Sequence, residues 1–402
     1  MKAQVRCTGL RLAPWAFRKQ LQPGQSPKDL AAAERLPGRR DFVVLGVIDW
    51  HLRYQRPQHL ATELVDRGHR VFYVSSNLIP SPRPGFRVEP LDDCRRLFQI
   101  HLSAAGVAGI YFGVADADAR RQLESGLRSL MEWAGVRDLV LLLDHPFWLR
   151  SAAALGSGLL VYDRMDFHAG FGDWTLAMEA EEAHLIRKAD LTLVSSAWLE
   201  ERTAPLAKAT ALIRNAGDWA HFSTPPPSRF RDPWGRRVIG YYGAIAHWLD
   251  PDVIDALAGA FPDALVLLIG HDQAGLRRTL GHVPNLRFVD EIPYASLPAY
   301  LYAFDVCLLP FRRIELTFAT NPVKVYEYLA AGRPVVATEL PETAQFGELV
   351  RTATDQASWV AAVRAALSEP MTDPLRERRR RFAAAQTWDA RARDLLAAIG
   401  TR

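Results

Sequence analysis

Two successive series of alternating strand and helix patterns constrain the fold of this 402-residue chain more than any other feature of its sequence. In each series, continuous apolar runs of strand length alternate with segments of helical periodicity. The first series begins at Phe42-Val43-Val44-Leu45-Gly46-Val47-Ile48 and the second at Val238-Ile239-Gly240-Tyr241-Tyr242-Gly243. Because such runs are typical of parallel strands covered on both faces, the pattern predicts an α/β protein with two doubly wound, Rossmann-like domains.

A segment rich in proline and arginine, residues 223–235, separates the two series and is predicted to be a linker. The remaining divisions are a flexible basic N-terminal arm (1–40), an N-terminal domain (41–222), a C-terminal domain (236–384) and a C-terminal helix (385–402). The arm lacks the continuous apolar run of a secretory signal. Ligands of doubly wound sheets bind at the carboxyl ends of the strands, so we expect the two domains to face a cleft lined by the loops at those ends.

The composition excludes several classes of function. A formal net charge of +4 does not predict nucleic-acid binding without a concentrated basic stripe. No apolar run reaches the roughly 18 residues that a membrane span needs. Cys7, Cys94 and Cys307 are widely spaced and predict neither a disulfide framework nor a metal site, which favours a cytoplasmic protein. The arginines between Leu375 and Phe382 are interpreted as a solvated helix face, with peripheral attachment to an anionic inner membrane as the alternative.

Residues 320–338 carry the clearest functional pattern, a loop followed by a short helix, a turn and a strand. Asn321 is the predicted N-cap and Pro322 the first helical residue. Lys324 and Glu327 are three residues apart and share one helix face. Unpaired N–H groups and an ammonium at a helix N-terminus suit a diphosphate, and a carboxylate one turn later suits a ribose diol. The alternative is a capped amphipathic helix with an ordinary surface ion pair.

Residues 42–395 resemble glycosyltransferases of the GT-B fold, in particular family four (glycosyl transferases group 1) and its branch that builds bacterial cell-surface polysaccharides such as teichuronic acid. The resemblance is most specific between Asp305 and Val336. The N-terminal segments that share it are Asp49-Trp50, Arg56-Pro57-Gln58 and Gly68-His69-Arg70-Val71. The family has two glutamates separated by seven residues; Glu327 matches the second, but Ala319 replaces the first. The resemblance also implies that the last helix crosses back to the N-terminal domain.

For the donor, the resemblance implies that Glu327 holds the ribose hydroxyls. Charge on the leaving diphosphate can be stabilised by a metal or by protein cations and amides. Asp116-Ala117-Asp118 is explained by the start of a helix, so we predict a metal-free site with no cofactor, and UDP, GDP and TDP sugars all stay open as donors. The predicted donor-binding residues are Glu327, Lys324, Asn321, Thr320, Gly243, Arg312 and Arg313.

The loops after three strands of the first series supply the remaining candidates. His145 is interpreted as a group that contacts the sugar or assists proton transfer, with a loop histidine bonded to backbone as the alternative. A tryptophan at the first of these loops suits a sugar face, although loop packing explains it equally well. The predicted catalytic residues are His145, Asp166 and His168, and the predicted acceptor-binding residues are Asp49, Trp50 and Arg53.

The sequence therefore predicts a cytoplasmic glycosyltransferase that moves a sugar from a nucleotide-diphosphate donor to a saccharide or lipid-linked acceptor, without metal and with retention of configuration. One alternative is a catalytically silent partner that binds a nucleotide sugar, which Ala319 favours. The other is a sugar-nucleotide epimerase on the same fold, which needs further carboxylates near the sugar.

Overall fold

A computed structural model of the protein describes residues 24–156, 158–172, 174–370, 372 and 374–400. The strands of this part are β1 (Asp41–Leu45), β2 (Arg70–Val74), β3 (Phe86–Pro90), β4 (Leu97–Leu102), β5 (Leu139–Leu143), β6 (Leu159–Arg164), β7 (Leu191–Val194), β8 (Thr210–Leu212), β9 (Arg237–Tyr242), β10 (Ala264–Ile269), β11 (Leu286–Val289), β12 (Val306–Leu309), β13 (Val335–Thr338) and β14 (Arg351–Ala353). The helices are α1 (Arg56–Asp66), α2 (Ala117–Ala134), α3 (Leu149–Ala152), α4 (Leu176–Lys188), α5 (Ala197–Thr203), α6 (Trp219–Phe222), α7 (Pro251–Ala260), α8 (Leu276–Leu280), α9 (Leu297–Leu301), α10 (Glu315–Ala319), α11 (Val323–Ala330), α12 (Gln356–Leu367), α13 (Pro374–Ala385) and α14 (Trp388–Gly400).

The first sheet has the strand order β3-β4-β2-β1-β5-β6-β7-β8. β1 lies between β2 and β5 and pairs with both in parallel. Its side chains are all buried, as expected for a central strand covered on both faces. β3 is antiparallel to β4, and this pair was not predicted from the sequence. The predicted parallel core of the first series is therefore confirmed, and an antiparallel edge is added to it.

The second sheet has the strand order β11-β10-β9-β12-β13-β14 and its pairs are parallel. Every residue of β10, β12 and β13 is buried. The strand order places the carboxyl ends of β9, β10 and β12 next to one another. β9 comes first in the chain but lies in the middle of the sheet, so the strand order reverses beside it. Ligands of doubly wound sheets bind at such a reversal.

By its internal contacts the chain divides into two compact units. Unit 1 contains the chain up to Asp163 together with Thr175–Lys188, and unit 2 contains Arg164–Trp174 together with the chain from Ala189 onward. The segment before the predicted linker thus belongs to unit 2. The predicted domain boundaries at 41–222 and 236–384 remain a prediction.

Residues 24–40 differ from the predicted flexible arm, because they are bound to the first sheet. Gln25 forms a bridge with Val88 of β3, and the Trp133 indole donates to the Pro27 carbonyl at 2.8 Å. The Ala33 amide donates to the Arg95 carbonyl at 2.9 Å. The rest of the predicted arm, residues 1–23, lies outside the described residues.

The C-terminal segment contacts residues that were predicted to belong to the N-terminal domain. The Gly217 amide donates to the Gln386 carbonyl at 3.1 Å, and the Arg391 side chain donates to the Asn215 carbonyl at 3.3 Å. Among the helices of the described residues, none combines the length and the apolarity required to cross a membrane.

Candidate active site

Two glycines at the carboxyl ends of neighbouring strands bring three backbone segments of unit 2 together. Gly243 follows β9 with a φ of 134°, and Gly270 follows β10 with a φ of 148°. A Cβ atom on Gly270 would lie 1.9 Å from the Gly243 carbonyl oxygen, and one on Gly243 would lie 2.0 Å from Lys324 Cε. Both positions therefore require glycine. The close contact expected between Gly243 and a ligand is, in this structure, a contact with a lysine side chain.

α11 begins beside these loops and carries Lys324 in its first turn. The half-buried side chain crosses Gly243, and its Nζ lies 5.9 Å from the ring centroid of Tyr241. The first N–H groups of a helix have no acceptor within the helix, and the helix dipole is positive at this end. The ammonium, the dipole and the backbone donors consequently act at the same place, beyond the carboxyl ends of β9 and β10.

The predicted N-cap of α11 is wrong, because Asn321 does not cap this helix. The N-cap residue is Pro322, and no side chain makes a capping hydrogen bond there. Asn321 Oδ1 instead accepts from the Asn215 amide at 2.9 Å and from the Tyr326 hydroxyl at 3.1 Å, while its Nδ2 donates to Glu342 at 2.7 Å. The Asn321 side chain is thus engaged by protein groups and braces the loop before the helix.

The side chains of three other residues predicted to bind the donor substrate have different partners. The Thr320 hydroxyl donates to the Leu316 carbonyl at 2.7 Å. Arg313 donates to the Glu339 carbonyl at 2.7 Å. Arg312 is exposed, and its guanidinium makes no hydrogen bond or ion pair within the part of the chain that the structure describes. Of the two arginines, Arg312 is therefore the better candidate for an anion.

Glu327 lies one turn after Lys324 and is held by a residue that the sequence interpretation missed. Its Oε2 accepts a hydrogen bond of 2.6 Å from the Tyr242 hydroxyl, and the side chain is only 5% exposed. Burial raises the pKa of Glu327 to about 7; the hydrogen bond from Tyr242 and the charge of Lys324 lower it, and Asp218 raises it. The sequence feature that could have identified Tyr242 as a site residue is its position at the end of a strand, directly before Gly243.

Ala319, where the resemblance implies an acid, is a packing residue. It is fully buried in an apolar cluster with Val194 and Leu199. A carboxylate among these side chains would lose its hydration without a partner. The environment of Ala319 in this chain therefore suits a small apolar side chain.

Asp166 and His168 lie in unit 2 on the loop that follows β6. His168 is buried and stacks on Trp174, with ring centroids 5.4 Å apart and planes 12° apart. Asp166 is half-buried. The same loop packs against α10, because a Cβ atom on Gly170 would lie 2.8 Å from Leu316 Cβ. The loop is thus anchored to the helix that leads into residues 320–322.

His145 lies in unit 1, two residues after the end of β5, and is buried. It is the N-cap of a short 3-10 helix (Pro146–Trp148), and its Nδ1 accepts from the Phe147 amide at 3.3 Å. This bond places the proton of a neutral imidazole on Nε2. The Tyr111 ring stands edge-on to it at 5.5 Å. The alternative of a histidine bonded to backbone is therefore observed at Nδ1.

Of the predicted acceptor-binding residues, Asp49 is used to brace its own loop. One carboxylate oxygen accepts from the His51 amide at 3.0 Å and the other from the Ser75 hydroxyl at 2.7 Å. The Trp50 ring stands edge-on to Tyr73 at 5.3 Å, which is the packing alternative. Arg53 is half-buried on the same loop.

Asp116 caps the N-terminus of α2, where it accepts from the Ala119 amide at 2.8 Å. The interpretation of this acidic pair as a helix start is confirmed. Across the described residues, no group of three or more His, Cys, Asp or Glu side chains is placed to hold a metal ion. A metal-free site remains a prediction.

Comparison with known proteins identifies sequence relatives of this chain. Residues 236–369 match the family described as "Glycosyl transferases group 1". The chain is 26% identical over 239 residues to the putative teichuronic acid biosynthesis glycosyltransferase TuaH of Bacillus subtilis (strain 168). This alignment covers 56% of the chain and 60% of the relative, so the similarity spans less than two thirds of the relative's length.

Solved structures show the same fold at low identity. The sucrose-phosphate synthase of Thermosynechococcus elongatus aligns with a TM-score of 0.70 and 16% identity, over 90% of this chain and 99% of that one. Anabaena HepE in complex with UDP aligns with a TM-score of 0.63 and 13% identity, over 90% of this chain and 100% of that one. The predicted fold, two Rossmann-like α/β domains of the GT-B type, is confirmed by this likeness.

Proposed function

We propose that the protein is a glycosyltransferase whose nucleoside-diphosphate donor binds to residues 236–369, which match the glycosyl transferases group 1 family. The observation that carries the proposal is the placement of Lys324 across Gly243 with the buried Glu327 one turn later on α11. An ammonium, the positive end of a helix dipole and a carboxylate are groups that suit a diphosphate and a ribose diol.

In this proposal the diphosphate binds at the N-terminus of α11. Cleavage of the bond between sugar and diphosphate builds negative charge on the leaving oxygen. Lys324 and the positive end of the helix stabilise that charge, and the exposed Arg312 adds a bidentate contact. Because these groups supply positive charge without a metal ion, we expect transfer to proceed in the presence of a chelator.

Glu327 accepts the two ribose hydroxyls of the donor, and Tyr242 acts as its positioning residue. The hydrogen bond from the Tyr242 hydroxyl fixes one carboxylate oxygen and favours the charged form. The base stays open among uracil, guanine and thymine. HepE has been crystallised with UDP and with UDP-glucose, which supports UDP sugars as the first donors to test.

A saccharide or lipid-linked saccharide is the proposed acceptor, in synthesis of a cell-surface polysaccharide at the cytoplasmic side of the membrane. The name of the similar Bacillus protein, which refers to teichuronic acid biosynthesis, supports this acceptor class. His145, Asp166 and His168 remain the proposed catalytic residues. Retention of configuration at the sugar is proposed from the family resemblance.

The direct test incubates the full chain with UDP-, GDP- and TDP-sugars, with and without saccharide acceptors, and follows nucleotide release. We expect release from one donor class, and we expect Glu327→Gln and Lys324→Ala each to weaken binding of the free nucleotide by about tenfold. The matched controls are Glu377→Gln and Lys208→Ala, which alter exposed side chains of the same unit. Unchanged nucleotide affinity in both site variants would contradict the proposed donor site.

The second candidate function, a silent partner that binds a nucleotide sugar, is favoured by Ala319. It predicts nucleotide binding that depends on Glu327 and Lys324, but no release of nucleotide with any acceptor. The same two measurements therefore separate the two functions.

A further inference from the structure

Asp144 is a buried acid of unit 1 that has no role in the function proposed above. It directly follows β5, and its backbone amide donates to the Leu45 carbonyl at the end of β1 at 3.1 Å. The residue is 1% exposed. Within the described residues, neither of its carboxyl oxygens makes a hydrogen bond. Burying a polar group without a partner costs folding free energy, so a retained group of this kind indicates a function.

The neighbouring charged groups do not supply a partner for Asp144. Arg56 is committed to Asp163 through two hydrogen bonds, Nε to Oδ2 at 2.8 Å and Nη2 to Oδ1 at 2.9 Å. Burial and the negative charge of Asp163 raise the pKa of Asp144 well above its ordinary value. Arg56 and the Val47 backbone amide lower the pKa of Asp144. The Val47 amide nevertheless lies outside hydrogen-bonding geometry. Burial without a hydrogen-bonding partner therefore disfavours the charged form of Asp144.

Tyr111 covers the place where Asp144 and His145 lie. Its ring stands edge-on to His145, and its hydroxyl donates to the Val47 carbonyl. Burial and then the charge of Asp144 raise the pKa of Tyr111 to about 12, while the charge of Arg53 lowers it. Tyr111 nevertheless keeps 40% of its surface exposed. It belongs to residues 105–115, a loop without charged side chains that includes three glycines at positive φ.

We propose that Asp144 is a saccharide-binding residue that pairs with two adjacent hydroxyls of a pyranoside when Tyr111 moves aside. The inference deepens the acceptor side of the proposed function and rests on it. The two carboxyl oxygens of Asp144 lack hydrogen-bonding partners, and a carboxyl in either protonation state can bond two neighbouring hydroxyls. Asp144 also lies at the carboxyl end of a central strand, where doubly wound sheets bind ligands. Movement of Tyr111 breaks the hydrogen bond between its hydroxyl and the Val47 carbonyl.

The test compares Asp144→Leu with Asp144→Asn in the full chain. Leucine fills a similar volume but removes both polar groups, whereas asparagine keeps one donor and one acceptor. The probes are methyl α- and β-glycosides of glucose, N-acetylglucosamine and glucuronic acid, and their affinities are measured by ligand-observed NMR titration with and without UDP. Asp66→Leu, at an exposed acid of the same unit, is the control. Thermal unfolding of each variant is recorded beside the titrations.

The expected result is that at least one glycoside binds the wild type, that Asp144→Leu weakens it about tenfold or more, and that Asp144→Asn stays within about threefold. Asp144→Leu is also expected to unfold at the wild-type temperature or above it, since it removes a buried group without a partner. A leucine variant that binds the glycoside as tightly as the wild type overturns the proposal, and so does a folded wild type that binds none of the probes. Should the leucine variant not fold, Asp144→Ala replaces it, with the same two outcomes.

The two proposals fail in different measurements. If nucleotide release occurs and the leucine variant binds glycosides normally, the role of Asp144 is wrong and the transferase function stands. If no donor is bound or cleaved but glycoside binding depends on Asp144, the saccharide site stands and the donor function is wrong.

Discussion

If Glu327 binds the ribose as proposed, nucleotide affinity is expected to depend on pH, because ribose hydroxyls donate to a carboxylate and burial raises the pKa of this carboxyl to about 7. Below that pH the Glu327 carboxyl is protonated and accepts hydrogen bonds from the ribose hydroxyls less well. The affinity for UDP is therefore expected to fall as the pH is lowered from about 8.5 to about 5.5. Calorimetric titration across this range tests the prediction. The Glu327→Gln variant lacks this carboxyl, so any pH dependence of its affinity comes from the ionisation of UDP itself. A wild-type pH profile parallel to that of the variant would contradict the prediction.

Tyr242→Phe is expected to move the midpoint of that pH profile upward. The Tyr242 hydroxyl donates to Glu327 at 2.6 Å and favours the charged form, so its removal raises the pKa of Glu327 above 7. UDP affinity should then weaken at neutral pH and recover at higher pH. Tyr300→Phe, at a half-buried tyrosine of the same unit, provides the control. The same calorimetric series measures all three proteins, and a midpoint that does not move would show that Tyr242 does not act through Glu327.

Single residues were predictable from sequence where local spacing decides their position. Lys324 and Glu327 share a helix face because they are three residues apart, and the structure places them so. Asn321 was predicted as a cap from the same local reasoning. Its actual partners, Asn215 and Glu342, lie 106 and 21 residues away in the chain. No short-range pattern contains those contacts.

At the scale of elements, strands with a predominantly apolar run were predictable, whereas β3 and β4 were not. β5 and β7 lie where the apolar runs predicted them. β4 is also wholly buried, but Gln99 and His101 interrupt its apolar run. Gln99 is accommodated because its side chain donates to Glu89 of β3 at 3.1 Å and accepts from the Trp50 amide at 2.8 Å. The two strands were missed because their polar residues are satisfied by tertiary contacts.

The C-terminal end of α11 depends on Gly332, and its substitution is expected to be costly. Gly332 has a φ of 68°, and its amide donates to Leu329 while that of Arg333 donates to Tyr328, which is a Schellman motif. A Cβ atom there would lie 2.8 Å from Arg376 Cγ. We expect Gly332→Ala to lower the free energy of unfolding by about 1–2 kcal/mol, measured by urea denaturation.

A glycine in the last turn of α7 provides the matched control. Gly259 is exposed, and a Cβ atom there would have no neighbour within 4 Å. Gly259→Ala is therefore expected to stabilise the protein by about 0.5–1 kcal/mol. Equal effects of the two alanines would refute the role assigned to the left-handed conformation at Gly332.

At the scale of the whole molecule, Glu342 connects parts of unit 2 that are far apart in sequence. Its carboxylate accepts from the Ala197 amide at 2.9 Å, from Arg214 at 2.9 Å and from Asn321 at 2.7 Å. These contacts join segments that lie before and after the predicted linker, residues 223–235, within unit 2. The domain boundaries predicted from composition remain a prediction.

Glu342→Gln is expected to lower the free energy of unfolding by about 2 kcal/mol, because hydrogen bonds to a charged, buried acceptor are the strong ones and an amide nitrogen would face other donors. The residue is 2% exposed, so water cannot replace the lost partners. Urea denaturation followed by tryptophan fluorescence measures the change. Glu339→Gln, three residues earlier and exposed, is expected to stay within about 0.5 kcal/mol of the wild type. Equal stabilities of the two variants would mean that Glu342 contributes no more than a surface acid.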